Sequence, residues 1–449
     1  MLTMGLPMIL SMMLQAAYNI VDSAFVSNME GVGEAALNAL TLAFPLQMLM
    51  VAIGIGTGVG ANALLAKSLG QGNREKASLV AGNALFLAGV VFAAFFLFGW
   101  FGAEFYVATQ TENLLILHMA VDYLRICCVL SFGLLFFSIF EKLLQATGRS
   151  LYSTIAQVAG AVTNIILDPI LIYGYLGAPE LGVKGAAYAT VLGQCVSMVL
   201  ALLFHRQKNV ELFRGWRYWR PSAGVIREIY TIGVPAIIAQ ALMSVMTYGL
   251  NLILGAVQET LVTAYGLYYK IQQFVLFAAF GLRDAITPIV SFNHGKCDQV
   301  RIRAGIKYGM LDTTVIMVVG LAVLELLASP LSQVFGLSGE TQALCVSATR
   351  IISVSFLFAG ANIAFQGIFQ ALDGGIESLL VSVCRQILFV LPVAWGFARM
   401  VGHSLERAWL IWMTFPLAEL VSLVIACILM RRLYRCKVVP LARNIGREE

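Results

Sequence analysis

Long apolar runs recur along the whole chain, and they limit its possible folds more than any other feature. A helix crosses a bilayer core with roughly 20 mainly apolar residues. The runs are continuous and do not alternate in polarity every second residue, which excludes a transmembrane β-barrel. The sequence therefore predicts an all-α integral membrane protein with twelve transmembrane helices. We call these runs spans 1 to 12, and their predicted limits are 4–27, 35–65, 77–101, 114–140, 151–176, 185–205, 229–256, 260–291, 305–328, 343–370, 378–400 and 406–430.

The charge content points to the same class. Only 12% of the 449 residues are charged and 59% are hydrophobic, whereas soluble domains contain about 25% charged residues. So few charges do not cover the surface of a soluble protein of this length, which argues against a soluble enzyme and a nucleic-acid-binding protein. We expect the chain to contact a lipid bilayer and no nucleic acid.

The distribution of Lys and Arg predicts the orientation in the membrane. Most of the 29 basic residues fall in breaks that are cytoplasmic if the N-terminus is inside, as the positive-inside rule requires. We therefore expect a protein of the cell inner membrane with both termini in the cytoplasm. A basic cytoplasmic linker is predicted at 208–228 and a cytoplasmic tail at 433–449.

The two halves of the chain repeat each other, with an offset that stays nearly constant along the whole half. Duplication of six helices in the same orientation predicts two pseudo-symmetric six-helix lobes, 1–207 and 229–432, related by an axis along the membrane normal. Two such lobes form a cleft that opens alternately to each side, which indicates a transporter. The aligned pairs include Pro7 with Pro235 and Gln47 with Gln272.

An ionisable residue inside a membrane span is costly and by default suggests a function. Asp22 is such a residue, late in span 1. Gln15, Asn19 and Asp22 follow one another at spacings of four and three, which places them on one face of a helix.

Asp168, in span 5, is the second such residue. Gln157, Asn164 and Asp168 form another helical stripe, and the adjacent Pro169 removes a backbone donor. Carboxylate and amide oxygens together suit a proton or Na⁺. Neither Asp22 nor Asp168 has an acidic counterpart in the other half, so the shared fold does not require them. Acids inside the helix bundle that are satisfied by hydrogen bonds remain the alternative interpretation.

Other embedded charges give weaker signals. Arg283 and Asp284 stand side by side in span 8, where an ion pair and a contact with substrate are both open. Asp122 and Arg125 are expected to pair with each other, since residues three apart are neighbours on a helix.

Arg385 and Glu419 lie in spans 11 and 12. We expect both side chains to reach the membrane interface by snorkelling.

Several motifs resemble the multidrug and toxic-compound extrusion (MATE) family of antiporters. They are YNIVDSAFVS in span 1, GVGANALLAKSLGQGN after span 2, QATGRS after span 4, NIILDPILIYG in span 5 and GVKGAAYATVLGQ entering span 6. The resemblance covers essentially the whole chain and implies the MATE fold of the MOP superfamily. It looks closest to the prokaryotic branch typified by the DNA-damage-inducible F proteins, whose cation site lies in the N-terminal lobe.

The resemblance also implies site residues. The acid of span 1 in that branch corresponds to Asp22, its span 5 Asn and Asp correspond to Asn164 and Asp168, and its span 6 threonine corresponds to Thr190. Asp22, Asp168 and Asn164 would then hold a monovalent cation. The full set of candidate cation-coupling residues is Asp22, Asp168, Asn164, Asn19, Gln15 and Thr190.

The expected function is antiport and not catalysis, because no P-loop pattern for ATP and no cluster of catalytic side chains occurs. We expect a monomer without cofactor that exports amphipathic, often cationic, drug-like compounds in exchange for H⁺ or Na⁺ by rocking of its lobes. A lipid-linked oligosaccharide flippase of the same superfamily and an integral-membrane enzyme are the alternatives. Candidate residues of the substrate cleft are Gln157, Gln240, Arg283 and Asp284.

Overall fold

A computed structural model describes residues 2–29, 31–213, 215–334, 339–402 and 407–441, and every regular element in these ranges is helical. In the first half the helices are α1 (Leu2–Ser27), α2 (Gly33–Gly70), α3 (Arg74–Phe101), α4 (Ala103–Ala108), α5 (Leu114–Val129), α6 (Phe132–Ala146), α7 (Ser150–Tyr173) and α8 (Val183–Lys208). In the second half they are α9 (Ala223–Val257), α10 (Glu259–Gly295), α11 (Gln299–Val334), α12 (Gly339–Ser353), α13 (Phe356–Ala371), α14 (Gly375–Val383), α15 (Val390–Val401), α16 (Trp409–Trp412) and α17 (Thr414–Lys437).

These helices account for the twelve predicted spans. Nine helical segments of the described residues are long and apolar enough to cross a bilayer, and two bent pairs of helices each supply one more. The 26 residues of α1 extend over about 39 Å, which also exceeds the bilayer core. The predicted fold class is confirmed. Residues 442–449 of the predicted tail lie outside the described residues.

Spans 4 and 10 differ from the prediction, because each is broken. α5 and α6 meet at a bend of 46°, and α12 and α13 meet at a bend of 53°. Buried Ser131 precedes α6 and buried Ser355 precedes α13. The two serines are separated by nearly the same interval as the aligned glutamines Gln47 and Gln272, so the bend is a feature of the duplicated unit.

The break after span 2 is also shorter than the polar stretch 68–76 suggests. α2 continues to Gly70, and only three residues separate it from α3. Gly72 has φ = +72°, a conformation that glycine adopts without steric cost. Asn73 then caps α3, because its side chain accepts a hydrogen bond from the backbone N–H of Lys76 at 2.8 Å.

The packing of the chain defines two compact units. The first unit is Leu10–Ile237, and the second unit combines Met1–Ile9 with Ile238–Glu449. The first nine residues therefore belong with the second half of the sequence, and 208–237 belong with the first. The predicted lobe limits, 1–207 and 229–432, therefore differ from these units within α1 and α9, the two helices that contain the aligned prolines Pro7 and Pro235.

The start of α1 and the first part of α9 each pack with the other half of the sequence, and we call them the exchanged helix ends. Each of them contacts a glycine, and the two glycines are equivalent in the repeat. In the first unit, a Cβ on Gly56 would lie 2.8 Å from the backbone nitrogen of Ile237. In the second unit, a Cβ on Gly281 would lie 2.7 Å from the backbone nitrogen of Ile9. The two glycines are separated by the same interval as the aligned glutamines, and the two isoleucines by the same interval as the aligned prolines. Only glycine permits this approach, since helix backbones in membranes come close where side chains are small.

The described residues between α8 and α9, 209–213 and 215–222, lie against α3 within the first unit. The backbone N–H of Phe213 donates to Ser78 Oγ at 2.7 Å, and that of Ser222 donates to Asn83 Oδ1 at 2.8 Å. This segment is therefore attached along α3, which explains why it packs with the first unit.

Candidate functional site

The contact between α7 and α8 creates the candidate site. A Cβ on Gly160 would lie 2.5 Å from the carbonyl oxygen of Gly193, and a Cβ on Gly193 would lie 2.6 Å from that of Gly160. The two glycines therefore let the helix backbones touch. One turn further along α7, Asn164 is placed directly beside α8, because its Cβ is 3.0 Å from the Cβ position of Gly193.

Asn164 contacts two other predicted residues, Asp168 and Thr190. Its Nδ2 donates to Asp168 Oδ1 at 3.3 Å and lies 3.4 Å from Thr190 Oγ1. Asp168 is completely buried and Asn164 is 3% exposed. Asn164 Oδ1 and Asp168 Oδ2 are buried without a hydrogen-bond partner among the described residues. The cluster therefore holds acceptors that no protein donor satisfies.

Asp22 belongs to the same cluster. It interacts electrostatically with Asp168 and with Tyr123 of α5, and its Oδ1 is also buried without a partner among the described residues. Gln47 of α2 contacts Tyr123 in turn: its Nε2 donates to Tyr123 Oη at 3.2 Å and lies 3.4 Å from Cys127 Sγ. Sequence reasoning missed Tyr123, for which no local pattern exists. The sequence singled out Gln47 only because it aligns with Gln272 in the repeat.

A cavity opens beside this cluster in the first unit. Gln15 and Gln157 line it and meet at 3.4 Å, with Gln157 Nε2 as donor. Ser11 Oγ donates to Gln157 as well. Asn164 and Thr190 reach the same cavity. The side chain of Asn19, predicted with these residues, lies outside the described part of the structure.

Glu141 is a further carboxylate at this cavity that the sequence analysis did not single out. It lies on α6, and its Oε1 accepts a hydrogen bond from Gln145 Nε2 at 3.1 Å. Its position near the end of α6 gave no helical stripe of polar residues, so no sequence signal marked it.

The donor set defines the chemistry that the site supports. It consists of carboxylate, amide and hydroxyl oxygens, which suit a proton or a hard monovalent cation and not a transition metal. Among the described residues, no three His, Cys, Asp or Glu side chains group as a metal site.

The remaining predicted residues lie in the second unit. Arg283 and Asp284 form an ion pair there, with Nη2 to Oδ1 at 2.9 Å, and Asp284 is buried. Gln240 is half-buried on α9. Of the four substrate-cleft candidates, the structure thus joins Arg283 with Asp284, whereas Gln157 belongs to the first unit.

Two expectations for charged pairs are wrong. Arg385 and Glu419 do not snorkel but are 7% and 8% exposed and form a buried ion pair at 2.6 Å. Arg385 lies in the π-helical turn Cys384–Leu388 and Glu419 lies in α17. Because each side chain supplies the other's counter-charge, neither needs to reach water.

Asp122 and Arg125, in turn, do not bond to each other in the described structure. Asp122 pairs with Lys184 of α8 at 3.1 Å, and Arg125 approaches Glu104 of α4 at 4.0 Å. Partners on neighbouring helices replaced the expected partner on the same helix.

Among the described residues, a set of helices long and apolar enough to cross a membrane, with a buried oxygen-lined site between them, is typical of a helical membrane transporter. The chain belongs to the MatE family, whose model matches residues 7–170 and 235–395. One family model thus matches each half in turn, which confirms the duplication. The members of this family are transporters and not enzymes.

Two curated relatives cover nearly the whole chain. The chain is 23% identical over 413 residues to the multidrug export protein MepA of Staphylococcus haemolyticus, which covers 90% of this chain and 89% of that protein. It is 24% identical over 445 residues to the multidrug export protein MepA of Staphylococcus aureus, which covers 96% and 94%.

Solved structures share the fold. One is the outward-facing conformation of a multidrug resistance MATE family transporter of the MOP superfamily, with a TM-score of 0.89, 22% identity and coverage of 97% of this chain and 96% of that chain. Another is a MOP superfamily transporter from Pyrococcus furiosus, with a TM-score of 0.87, 23% identity and coverage of 96% and 95%.

Proposed function

We propose that this chain is a cation-coupled antiporter that exports amphipathic, drug-like compounds in exchange for H⁺ or Na⁺. One observation carries the proposal: Asp22 Oδ1, Asn164 Oδ1 and Asp168 Oδ2 are acceptors of one buried cluster without partners among the described residues. An unsatisfied buried acceptor costs about 1–3 kcal/mol, so an ion that satisfies these atoms is held strongly. The multidrug export relatives support the substrate class.

The two carboxylates give the cluster a means of coupling. Asp22 and Asp168 interact electrostatically, so that ionising both is unfavourable unless a cation or a proton lies between them. A ligand shifts a conformational equilibrium only by its different affinity for the two states. In our proposal, rocking of the two lobes changes the affinity of this cluster for the ion, and the substrate leaves when the ion enters.

The placement of the acids supports the branch that we propose. Both candidate acids lie in the first unit, as in the DNA-damage-inducible F branch. Other branches carry an acid on the seventh helix, whereas span 7 of this chain offers Gln240 and no acid. We further propose a monomer in the inner membrane with both termini cytoplasmic. Single cysteines at 74, 215 and 298, in a cysteine-free background, should react only with reagents applied from the inside. Labelling of any of them from outside contradicts this orientation.

The coupling assignment is tested in proteoliposomes under an imposed pH gradient or an imposed Na⁺ gradient. Asp22→Asn and Asp168→Asn keep the side-chain size and remove the charge. Each should abolish gradient-driven efflux and leave equilibrium binding of the drug largely intact. Asp122→Asn is the matched control, because Asp122 pairs with Lys184 in a half-exposed position.

The two gradients identify the ion. Efflux driven by the pH gradient alone assigns H⁺, and efflux driven by the Na⁺ gradient at equal pH assigns Na⁺. If both Asn variants extrude the drug at the unmodified rate, the carboxylates do not couple transport.

A further inference from the structure

The stretch between α8 and α9, which we call the α8–α9 segment (described residues 209–213 and 215–222), exposes three large aromatic side chains. Trp216 is 88% exposed, and Phe213 and Trp219 are also exposed. The rings of Trp216 and Trp219 lie 6.4 Å apart. We call these three side chains the aromatic row. An exposed group of large apolar side chains marks a surface that another molecule covers.

The depth of the aromatic row in the membrane follows from α3, against which the segment packs. Residues 84–101 of α3 contain no charged, amide or hydroxyl side chain. They extend over about 27 Å, close to the thickness of the bilayer core of about 30 Å. All such side chains of α3 fall in 74–83, which therefore lies in the headgroup layer. The segment contacts α3 at Ser78, Gly82 and Asn83, so the aromatic row lies at headgroup depth.

Positive charge accompanies the aromatic row. The stretch 205–228 contains six Lys or Arg residues and only two acidic residues, Glu211 and Glu228. Both glutamates already pair with basic residues outside this stretch. Within the segment, Arg220 is exposed and has no ion-pair partner among the described residues. Arg217 forms its ion pair at an exposed position, where such pairs contribute little. The surface therefore keeps an excess of positive charge.

The backbone of the segment is fixed against α3. Asn83 Nδ2 donates to the carbonyl oxygen of Arg220 at 3.3 Å. A Cβ on Gly82 would lie 2.0 Å from the carbonyl oxygen of Tyr218, so the two backbones touch. The aromatic and arginine side chains therefore project from a fixed surface.

We propose that this surface binds anionic phospholipids of the leaflet in which it lies. Trp216 and Trp219 insert at the boundary between headgroups and acyl chains, where tryptophan is enriched in membrane proteins. Arg217 and Arg220 bind lipid phosphates, because a guanidinium donates two parallel hydrogen bonds to a phosphate. The excess of positive charge selects headgroups with a net negative charge over zwitterionic ones. With the orientation proposed above, this is the cytoplasmic leaflet.

The first measurement locates the two tryptophans. The full-length protein is placed in lipid nanodiscs, and the fluorescence of Trp216 and Trp219 is obtained as the difference between the unmodified protein and Trp216→Phe/Trp219→Phe. Most of this fluorescence should be lost with lipids brominated near the headgroup and retained with acrylamide in the aqueous phase. The opposite pattern places the aromatic row in water, as a surface for a soluble protein would be, and overturns the proposal.

The second measurement tests the selectivity for anionic lipids. Energy transfer from tryptophan to phosphatidylglycerol or phosphatidylcholine, each with a pyrene-labelled acyl chain, reports binding to the full-length protein in detergent micelles. The unmodified protein should prefer phosphatidylglycerol, and Arg217→Gln/Arg220→Gln should reduce this preference about tenfold. Arg301→Gln/Arg303→Gln is the matched control, because it removes two exposed arginines of α11 and keeps every tryptophan. It should leave the preference unchanged.

Equal affinity of the unmodified protein for both lipids, or equal losses in the two arginine double variants, overturns the lipid site. Competition by soluble glycerophosphate indicates a site for free phosphate and overturns it as well. Size-exclusion profiles establish that each variant folds, and each measurement stands if the variant of the other fails to fold. Because neither an ion gradient nor an exported compound is present, these results are independent of the proposed antiport.

Discussion

Substitution of Gly160 by alanine should separate α7 from α8 at the candidate site. The new Cβ would lie 1.8 Å from Ser197 Oγ and 2.5 Å from the carbonyl oxygen of Gly193, and real Cβ atoms essentially never come within 3.0 Å. Ser197 relieves its clash by rotating its hydroxyl. The carbonyl of Gly193 is part of the backbone of α8, so the helices must move apart until this distance reaches at least 3.0 Å.

This displacement has an energetic and a functional consequence. Overpacking of a close contact costs about 1–3 kcal/mol, and alanine recovers up to about 1 kcal/mol through its helix propensity. We expect a net loss of about 1–2 kcal/mol. The contact of Asn164 Nδ2 with Thr190 Oγ1, already 3.4 Å long, would open to about 3.9 Å, which is beyond a hydrogen bond.

Thermal unfolding of the purified protein and gradient-driven efflux are the two measurements. Gly160→Ala should lower the midpoint of unfolding and reduce efflux. Gly396→Ala is the matched control, because a Cβ there meets nothing within 4 Å and should leave stability unchanged or raise it by up to about 1 kcal/mol. If Gly160→Ala unfolds at the same temperature as Gly396→Ala and transports normally, α7 and α8 do not pack as closely as described.

Three further predictions concern the surface of the first unit. Gly82→Val should detach residues 209–222 from α3, seen as faster proteolysis there, because even a Cβ would lie 2.0 Å from the carbonyl oxygen of Tyr218. Burial raises the pKa of Glu211, but the hydrogen bonds and positive charge of Arg149 outweigh this and hold the pKa below its ordinary value of 4.5. The ion pair of Glu211 with Arg149 therefore stabilises the attachment of residues 209–222 above about pH 4.5, and this stabilisation is lost as the pH falls through the lowered pKa. Acid should therefore speed proteolysis of the unmodified chain but not of Glu211→Gln. Asp122→Asn should change stability by less than about 1 kcal/mol, as expected for a partly exposed ion pair, and a larger fall in the unfolding midpoint would contradict this.

The sequence predicted the parts of the fold and site that follow from local spacing. Asn164 and Asp168 are four residues apart, so one helical turn brings Asn164 Nδ2 to the carboxylate. The twelve spans followed from apolar length in the same way. The contact with Thr190, 26 residues away, was expected only from the family resemblance. The functional roles of these residues stay predictions.

Contacts between distant helices were beyond the reach of sequence periodicity. Arg385 and Glu419 are 34 residues apart, and nothing local indicates that each supplies the other's counter-charge. The same limit applied to Asp122, whose partner was sought three residues away and lies on α8. The bends beside Ser131 and Ser355 carry no proline, so the usual signal for a broken helix was missing.

The exchanged ends of α1 and α9 affect the order in which the chain can fold during synthesis. The surface around Gly56 is covered by residues up to Ile237, which leave the ribosome only after all of α8 and residues 209–222. The first unit therefore remains incomplete in the membrane until the second half of the chain has begun to emerge. Leu2–Ile9 must in turn wait for Gly281 of α10. A chain cut between α8 and α9 would yield two fragments, each of which carries a helix end that belongs to the other, so neither is expected to complete its unit unless both are made together.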